Sequence, residues 1–159
     1  YAHEFFPAEK EEIRTAFEKL IDHFGIVPTT SKEDQLQDRD SQITLSALGR
    51  HAPSEAKRDF DPEGEKRKGW VEFLRQFLSE EKYGIRIGGT SSIDITRKGL
   101  DKEWGIKEFA RYHGFNLNEI LFIGDKLYPG GNDYPAAKIV DCIGVNSPED
   151  TLKELRKLG

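Results

Sequence analysis

The chain has 159 residues, a net charge of −5 and a single cysteine. That length makes one ordinary domain or two small ones, and the acidic balance argues against nucleic acid as a partner. No apolar run approaches the roughly 20 residues that span a bilayer, no basic and then apolar signal peptide opens the chain, and one cysteine, Cys142, excludes an internal disulfide and fits a cytoplasmic protein. Methionine is absent, even at position 1, so we expect the natural protein to begin upstream of Tyr1.

Residues 8–24 read as a first helix, with Ile13, Ala16, Phe17, Leu20, Ile21 and Phe24 on one face and Gly25 as its stop. Ile26-Val27-Pro28 is a short strand or an extended link. A strand begins at Leu36, Arg39-Asp40-Ser41-Gln42 is turn-like, and Ile43–Leu48 alternates as a strand does. A short polar helix runs from Ser54 to about Phe60. Asp61-Pro62 caps and opens another helix, with Trp70, Phe73, Leu74, Phe77 and Leu78 on one side. The runs 84–89 and 91–96 make a hairpin around a glycine turn. Helix, two strands, helix, two strands predicts an antiparallel four-stranded sheet with helices on one face, an α+β layer over residues 1–97.

From Lys98 the pattern changes. Residues 102–113 form a helix with Ile106, Phe109, Ala110 and His113 inward, capped by Asp101 and stopped by Gly114. A short buried strand, Leu121–Gly124, is followed by a loop and a helix start at Tyr134-Pro135. A second strand, Ile139–Val145, precedes a last helix capped by Ser147, with Leu152, Leu155 and Leu158 on its inner side. Alternating helix and strand is the mark of a parallel α/β sheet. Two parallel strands normally need more beside them, so residues 98–159 are expected to be the carboxyl-terminal part of a larger α/β domain.

Asp125 stands at the carboxyl end of the first of those strands, and Asn132 and Asp133 follow across the loop Pro129-Gly130-Gly131. Oxygen donors so placed suit a hard cation such as Mg²⁺; a glycine turn with an Asp/Asn cap is the alternative. Lys102 opens the preceding helix, where a cation is unfavourable to the macrodipole; it is either an exposed surface lysine or a cation placed to meet a phosphate near the metal. Arg39, Arg50, Lys57 and Arg58 lie in and after the first hairpin; arginine's planar fork matches a phosphate, and plain solvated loop charges are the alternative. Gly49 before Arg50 would let the backbone approach a ligand. Ser92 and Asp94 project from the face of their strand opposite Ile93 and Ile95, either as plain solvated sheet or as a floor for sugar hydroxyls. The four histidines share no metal-ligand spacing, and Cys142 reads as an inert residue buried in its strand.

These pieces together resemble the eukaryotic-type phosphomannomutase family of the haloacid-dehalogenase-like (HAD) superfamily. Gly124-Asp-Lys-Leu-Tyr-Pro-Gly-Gly-Asn-Asp133 is close to that family's Gly-Asp-Lys-Thr-x-Pro-Gly-Gly-Asn-Asp. Ser46-Ala-Leu-Gly-Arg50 resembles Ser-Pro-Ile-Gly-Arg, Gly88-Gly-Thr-Ser-Ser-Ile-Asp94 resembles Gly-Gly-Gln-Ile-Ser-Phe-Asp, and Gly99-Leu-Asp-Lys102 resembles Gly-Trp-Asp-Lys. Ser147-Pro-Glu-Asp-Thr151 resembles Ala-Pro-Glu-Asp-Thr.

The resemblance implies a cap domain over residues 1–97 and the carboxyl-terminal part of a Rossmann-like HAD core over 98–159. It implies an Mg²⁺-dependent enzyme that interconverts hexose 1-phosphate and hexose 6-phosphate, with mannose phosphate as substrate, through an aspartyl-phosphate. Asp125, Asn132 and Asp133 would hold Mg²⁺, and Asp125 and Lys102 would be the catalytic residues of this segment. Arg39, Arg50 and Lys57 would grip the distal phosphate, and Ser92 and Asp94 the sugar hydroxyls. Caps of this family commonly form dimers, so a homodimer through the cap is a further implied partner.

The family's Asp-x-Asp nucleophile motif has no counterpart here, since Asp38-Arg39-Asp40 has the spacing but lies in the cap turn, so the segment alone is expected to be inactive. Arg39-Asp-Ser-Gln replaces the family's Arg-Asn-Gly-Met, and Lys57 stands in place of an arginine. Those departures keep two alternatives open, a HAD-type sugar-phosphate phosphatase and a non-catalytic phosphosugar-binding fragment.

Overall fold

A computed structural model of the chain describes residues 3–129 and 131–158. The chain divides into two compact units between Lys98 and Gly99.

In the first unit, helix α1 (Pro7–Phe24) lays Ile13, Ala16, Phe17 and Leu20 into the core, each at most 2 % exposed. It stops at Gly25, whose left-handed backbone returns its N–H to the carbonyl of Ile21. Phe24, expected on the buried face, is 43 % exposed, and residues 26–28 form no strand. Strands β1 (Leu36–Asp38) and β2 (Gln42–Ser46) pair antiparallel across a tight turn. Asp40 takes a left-handed conformation there, with its N–H donating to Asp38 Oδ1 at 2.9 Å. The Asp38 carboxylate thus closes an Asx turn over the bend, while the Asp40 carboxylate accepts from Lys10 Nζ at 2.8 Å. The second strand ends at Ser46, two residues earlier than expected, because Ala47 and Leu48 turn into the loop that carries Arg50.

Helix α2 (Ser54–Phe60) is polar and short. Helix α3 (Glu65–Leu74) starts later than Asp61-Pro62 predicts, and Phe77 and Leu78 lie beyond its end. The capping role of Asp61 survives the shift. Its carboxylate accepts from the N–H groups of Lys66 and Arg67, the second and third residues of the helix, both at 3.1 Å. Strands β3 (Tyr83–Gly88) and β4 (Ser92–Arg97) complete an antiparallel sheet of order β1-β2-β4-β3.

Strand alternation gives this sheet two unlike faces. Ile43, Leu45, Ile93 and Ile95, each at most 1 % exposed, pack with Phe17, Leu20, Trp70 and Leu74 from the helices. The opposite face carries Thr44, Ser46, Ser92 and Asp94.

The second unit holds α4 (Lys102–His113), β5 (Leu121–Gly124), the single turn α5 (Tyr134–Ala137), β6 (Asp141–Gly144) and α6 (Pro148–Leu158). The two strands pair parallel, from Leu121 opposite Asp141 to Gly124 opposite Gly144. β6 is shorter than the expected 139–145 because its four residues match the four of its partner. Asp101 caps α4, accepting from Trp104 N–H at 3.0 Å, and Ser147 Oγ accepts from Asp150 N–H at 3.2 Å. Several residues expected inward are exposed: Phe109, His113, Leu152, Leu155 and Leu158. Phe109, His113 and Phe115 instead cluster on one another. Leu121 is likewise exposed, and Cys142 is only half-buried, although burial still raises its thiol pKa.

Candidate phosphosugar and metal sites

Each unit concentrates part of the expected site residues. On the second unit a cleft of about 660 Å³ is lined by Lys102, Asp125, Asn132 and Asp133, with Asn146 and Ser147 from the turn just before α6. Strand β5 delivers Asp125 at its end. The loop returns through Gly131, whose N–H donates to the Tyr128 carbonyl at 2.8 Å, and Asp133 N–H donates to the Lys126 carbonyl at 3.2 Å. Gly130 lies outside the described residues.

Asp133 is the most buried acid of this cleft, 5 % exposed. Its Oδ2 accepts from the N–H of Asp125 at 3.2 Å and of Lys126 at 3.3 Å, and its Oδ1 lies 3.7 Å from Lys102 Nζ. One carboxylate thus fixes the backbone under Asp125 and anchors the lysine. Close approach explains Gly124: a Cβ there would stand 2.6 Å from Asp133 Oδ2. Asp125 and Asn132 are exposed by contrast.

The donor set fits a hard cation. It is oxygen only, and Mg²⁺ is commonly held by one or two carboxylates while it keeps waters or substrate phosphate oxygens. Among the described residues no cluster of three His, Cys, Asp or Glu could hold a metal. Asp125 and Asn132 have side chains exposed for ligation, whereas Asp133 already has one oxygen engaged by two amides.

On the first unit the polar sheet face joins Ser92 and Asp94 to two residues that the sequence reading did not single out. Thr44 Oγ1 donates to Asp94 Oδ1 at 2.7 Å, and Ser46 and Ser92 hydroxyls lie 3.3 Å apart. The strict alternation of Ile43-Thr44-Leu45-Ser46 was the available signal. Arg50 and Lys57 also come together, with Lys57 Nζ donating to the Arg50 carbonyl at 2.5 Å. Arg39 does not join them. It sits at the opposite end of β2, donating to Gln37 Oε1 at 2.8 Å. Gly49 is explained locally: it has φ +95°, and a Cβ would stand 1.8 Å from Thr30 Oγ1. The loop therefore needs glycine whether or not a ligand approaches.

One buried charged residue also escaped sequence reasoning. Arg67, 3 % exposed, donates from Nε to Asp61 Oδ2 at 2.9 Å and from Nη1 to the carbonyls of Gly88 and Gly89 at 3.0 and 3.1 Å. It thereby pins the β3–β4 turn to the start of α3. Nothing local marks a helical arginine as buried, since its partners lie 21 and 22 residues on.

Comparison with solved structures gives the fold. An IMP-bound, N-terminally truncated IMP-nucleotidase of Plasmodium falciparum superposes with a TM-score of 0.63 at 17 % identity, covering 97 % of this chain and 38 % of that one. A protein of Streptococcus mutans UA159 superposes at 0.55 and 16 % identity, covering 90 % and 59 %. The fold is the mixed α/β fold of HAD-like phosphatases, with a four-stranded antiparallel sheet.

Within that class the sequence is more specific. A family profile described as eukaryotic phosphomannomutase matches residues 27–158. Phosphomannomutases of Schizosaccharomyces pombe and Saccharomyces cerevisiae are 35 % and 36 % identical over 125 and 128 residues, or 76 % and 77 % of this chain. The chain belongs to the eukaryotic phosphomannomutase family. It spans about half the length of these curated relatives, 48 % and 49 %. Among the described residues no helix is long and apolar enough to cross a membrane.

Proposed function

We propose that this chain is the substrate-gripping and metal-holding part of an Mg²⁺-dependent phosphomannomutase-like enzyme that moves a phosphoryl group between positions 1 and 6 of a hexose, mannose by preference. The observation that carries the reading is the joint arrangement of Lys102, Asp125 and Asp133 at the end of β5 in a chain of this family. Residues 1–97 act as the cap and 98–159 as the carboxyl-terminal part of the core, working in the cytoplasm.

In this reading Asp125 and Asn132 hold the cation, with Asp133 completing the loop. Bound there, Mg²⁺ would offset charge on the transferring phosphoryl group. Lys102, anchored by Asp133, presents a positive charge to the same oxygens. The nucleophile is an aspartate outside these residues, and the phosphoryl group passes through an aspartyl-phosphate. Arg50 and Lys57 grip the distal phosphate, with Arg39 as a further cation, while Ser92 and Asp94, with Thr44 and Ser46 beside them, meet sugar hydroxyls. A homodimer through residues 1–97 is the assembly that goes with this reading.

The test is to assay the protein that carries this chain with mannose 1-phosphate, with and without a hexose bisphosphate activator. Hexose 6-phosphate should form, and EDTA should abolish it until Mg²⁺ is restored. Release of free phosphate without hexose 6-phosphate would instead identify a phosphatase. Arg50→Ala should raise the KM for hexose phosphate about 10- to 100-fold, the cost of one charge-assisted bond to phosphate.

A further inference from the structure

We propose that Asp34 is the positioning residue of Arg50, holding the loop 48–51 so that its guanidinium meets a hexose phosphate. This rests on the reading above, in which Arg50 binds the phosphate. Arg50 follows a left-handed glycine just past the end of β2, where sheet pairing no longer constrains the chain. Asp34 supplies the missing constraint. Its carbonyl accepts from Arg50 N–H at 2.9 Å. Its Oδ2 accepts from His51 N–H at 2.8 Å and from Thr30 Oγ1 at 2.8 Å. Its Oδ1 lies 2.6 Å from His51 Nδ1 and 3.6 Å from Arg50 Nε.

One residue therefore binds consecutive loop amides and approaches the arginine through a second oxygen. The Asp34 side chain is 10 % exposed, whereas that of Arg50 is 51 % exposed. The acid is packed as a fixed support and the arginine is open to a ligand. The His51 N–H, more than the Thr30 and His51 side chains, holds the Asp34 carboxyl below the usual range, so it stays ionised at neutral pH. A binding group is only as well placed as the contacts that fix it, and an ångström of slack is costly.

The experiment is a titration of the full chain with mannose 1-phosphate, read by calorimetry and by the NMR signal of the Arg50 Nε–H. Asp34→Ala should weaken binding about tenfold, at the low end of what losing a supporting contact costs, and should erase the ligand-induced shift of Arg50. Asp34→Asn keeps an oxygen for the His51 N–H and should restore both to within about threefold. Should Asp34→Ala not fold, Thr30→Val and His51→Ala each remove one bond to Asp34 and should each reduce the Arg50 shift.

Arg50→Ala separates the outcomes. If it abolishes binding while Asp34→Ala, or both milder variants, bind and shift as wild type does, the positioning role is overturned and the phosphate grip stands. If Arg50→Ala binds like wild type, the phosphate-grip reading itself falls.

Discussion

If the proposed function holds, Asp133→Ala should lower the mutase activity of the protein that carries this chain by roughly 10²- to 10³-fold, the loss expected when a preorganised electrostatic element of an active site is removed. The reason is that Asp133 serves two functions at once. Its Oδ2 holds the amides of Asp125 and Lys126, and its Oδ1 faces Lys102. With alanine the two amides lose their shared acceptor, which costs about 1–3 kcal/mol where they stay buried, and Asp125 is no longer held in one direction.

Asp133→Asn separates the two functions. Its amide oxygen can still accept from the backbone, but the charge opposite Lys102 is gone. It should retain most of the stability and recover only part of the activity. Thermal unfolding measured beside kcat distinguishes them. Equal activity in Asp133→Ala and wild type would remove Asp133 from the site altogether. Gly124→Ala should act in the same direction, because the added methyl displaces the Asp133 carboxylate.

Arg67→Ala should destabilise the first unit by about 3–5 kcal/mol, the usual result of removing one partner from a buried ion pair. Both side chains are 4 % exposed. Alanine would leave Asp61 buried with less compensation and would unpin the carbonyls of Gly88 and Gly89. Urea unfolding of wild type and variant checks the figure; a loss below about 1 kcal/mol, the range of an exposed pair, would sink the assignment.

The pH dependence follows from Asp61. Burial alone would raise its carboxyl pKa, but bonds from the Arg67 side chain and from the N–H groups of Arg67 and Lys66 more than reverse that, leaving it lowered. Its stabilisation is therefore fully present above the unfolded value of about 3.9 and is lost as pH falls through the lower folded value. The stability gap between wild type and Asp61→Asn should hold from pH 7 down to about 4 and close below that.

Periodicity and turn chemistry were enough to find the elements of the first unit. The buried set Ile13, Phe17, Leu20, Ile43, Leu45, Ile93 and Ile95 is what alternation and helical spacing predict. Element ends were less legible because they depend on tertiary partners. Asp61 reads as a helix start from Asp-Pro, yet Gly64 turns the chain once more before α3 begins, and the acid caps from four residues ahead of Glu65. In the second unit the pattern shows which face of a helix is apolar but not what covers it. Leu152, Leu155 and Leu158 keep their spacing and are nevertheless 49–60 % exposed.

The candidate sites follow the same rule. Lys102, Ser92 and Asp94 sit on regular elements whose direction spacing can fix, and Asp125 directly follows one. Asp34 and Arg67 also bond to groups 17 to 22 residues further on, which no local window contains. Arg39 was grouped with Arg50 by chemistry alone, and the length of β2 separates them.

Among the described residues the two sheets differ in how many sides of each strand are paired, and this bears on how the segment breathes. In the first unit β2 and β4 have neighbours on both sides, whereas β5 and β6 form a ladder of only two. Local opening is easiest where few backbone bonds must break together. In this segment taken by itself, the inner amides of β2 and β4 should be among the last to exchange with solvent deuterium, and those that lead to Asp125 among the first. The loop that carries Asn132 and Asp133 would then be the part of this segment whose order depends most on what binds it.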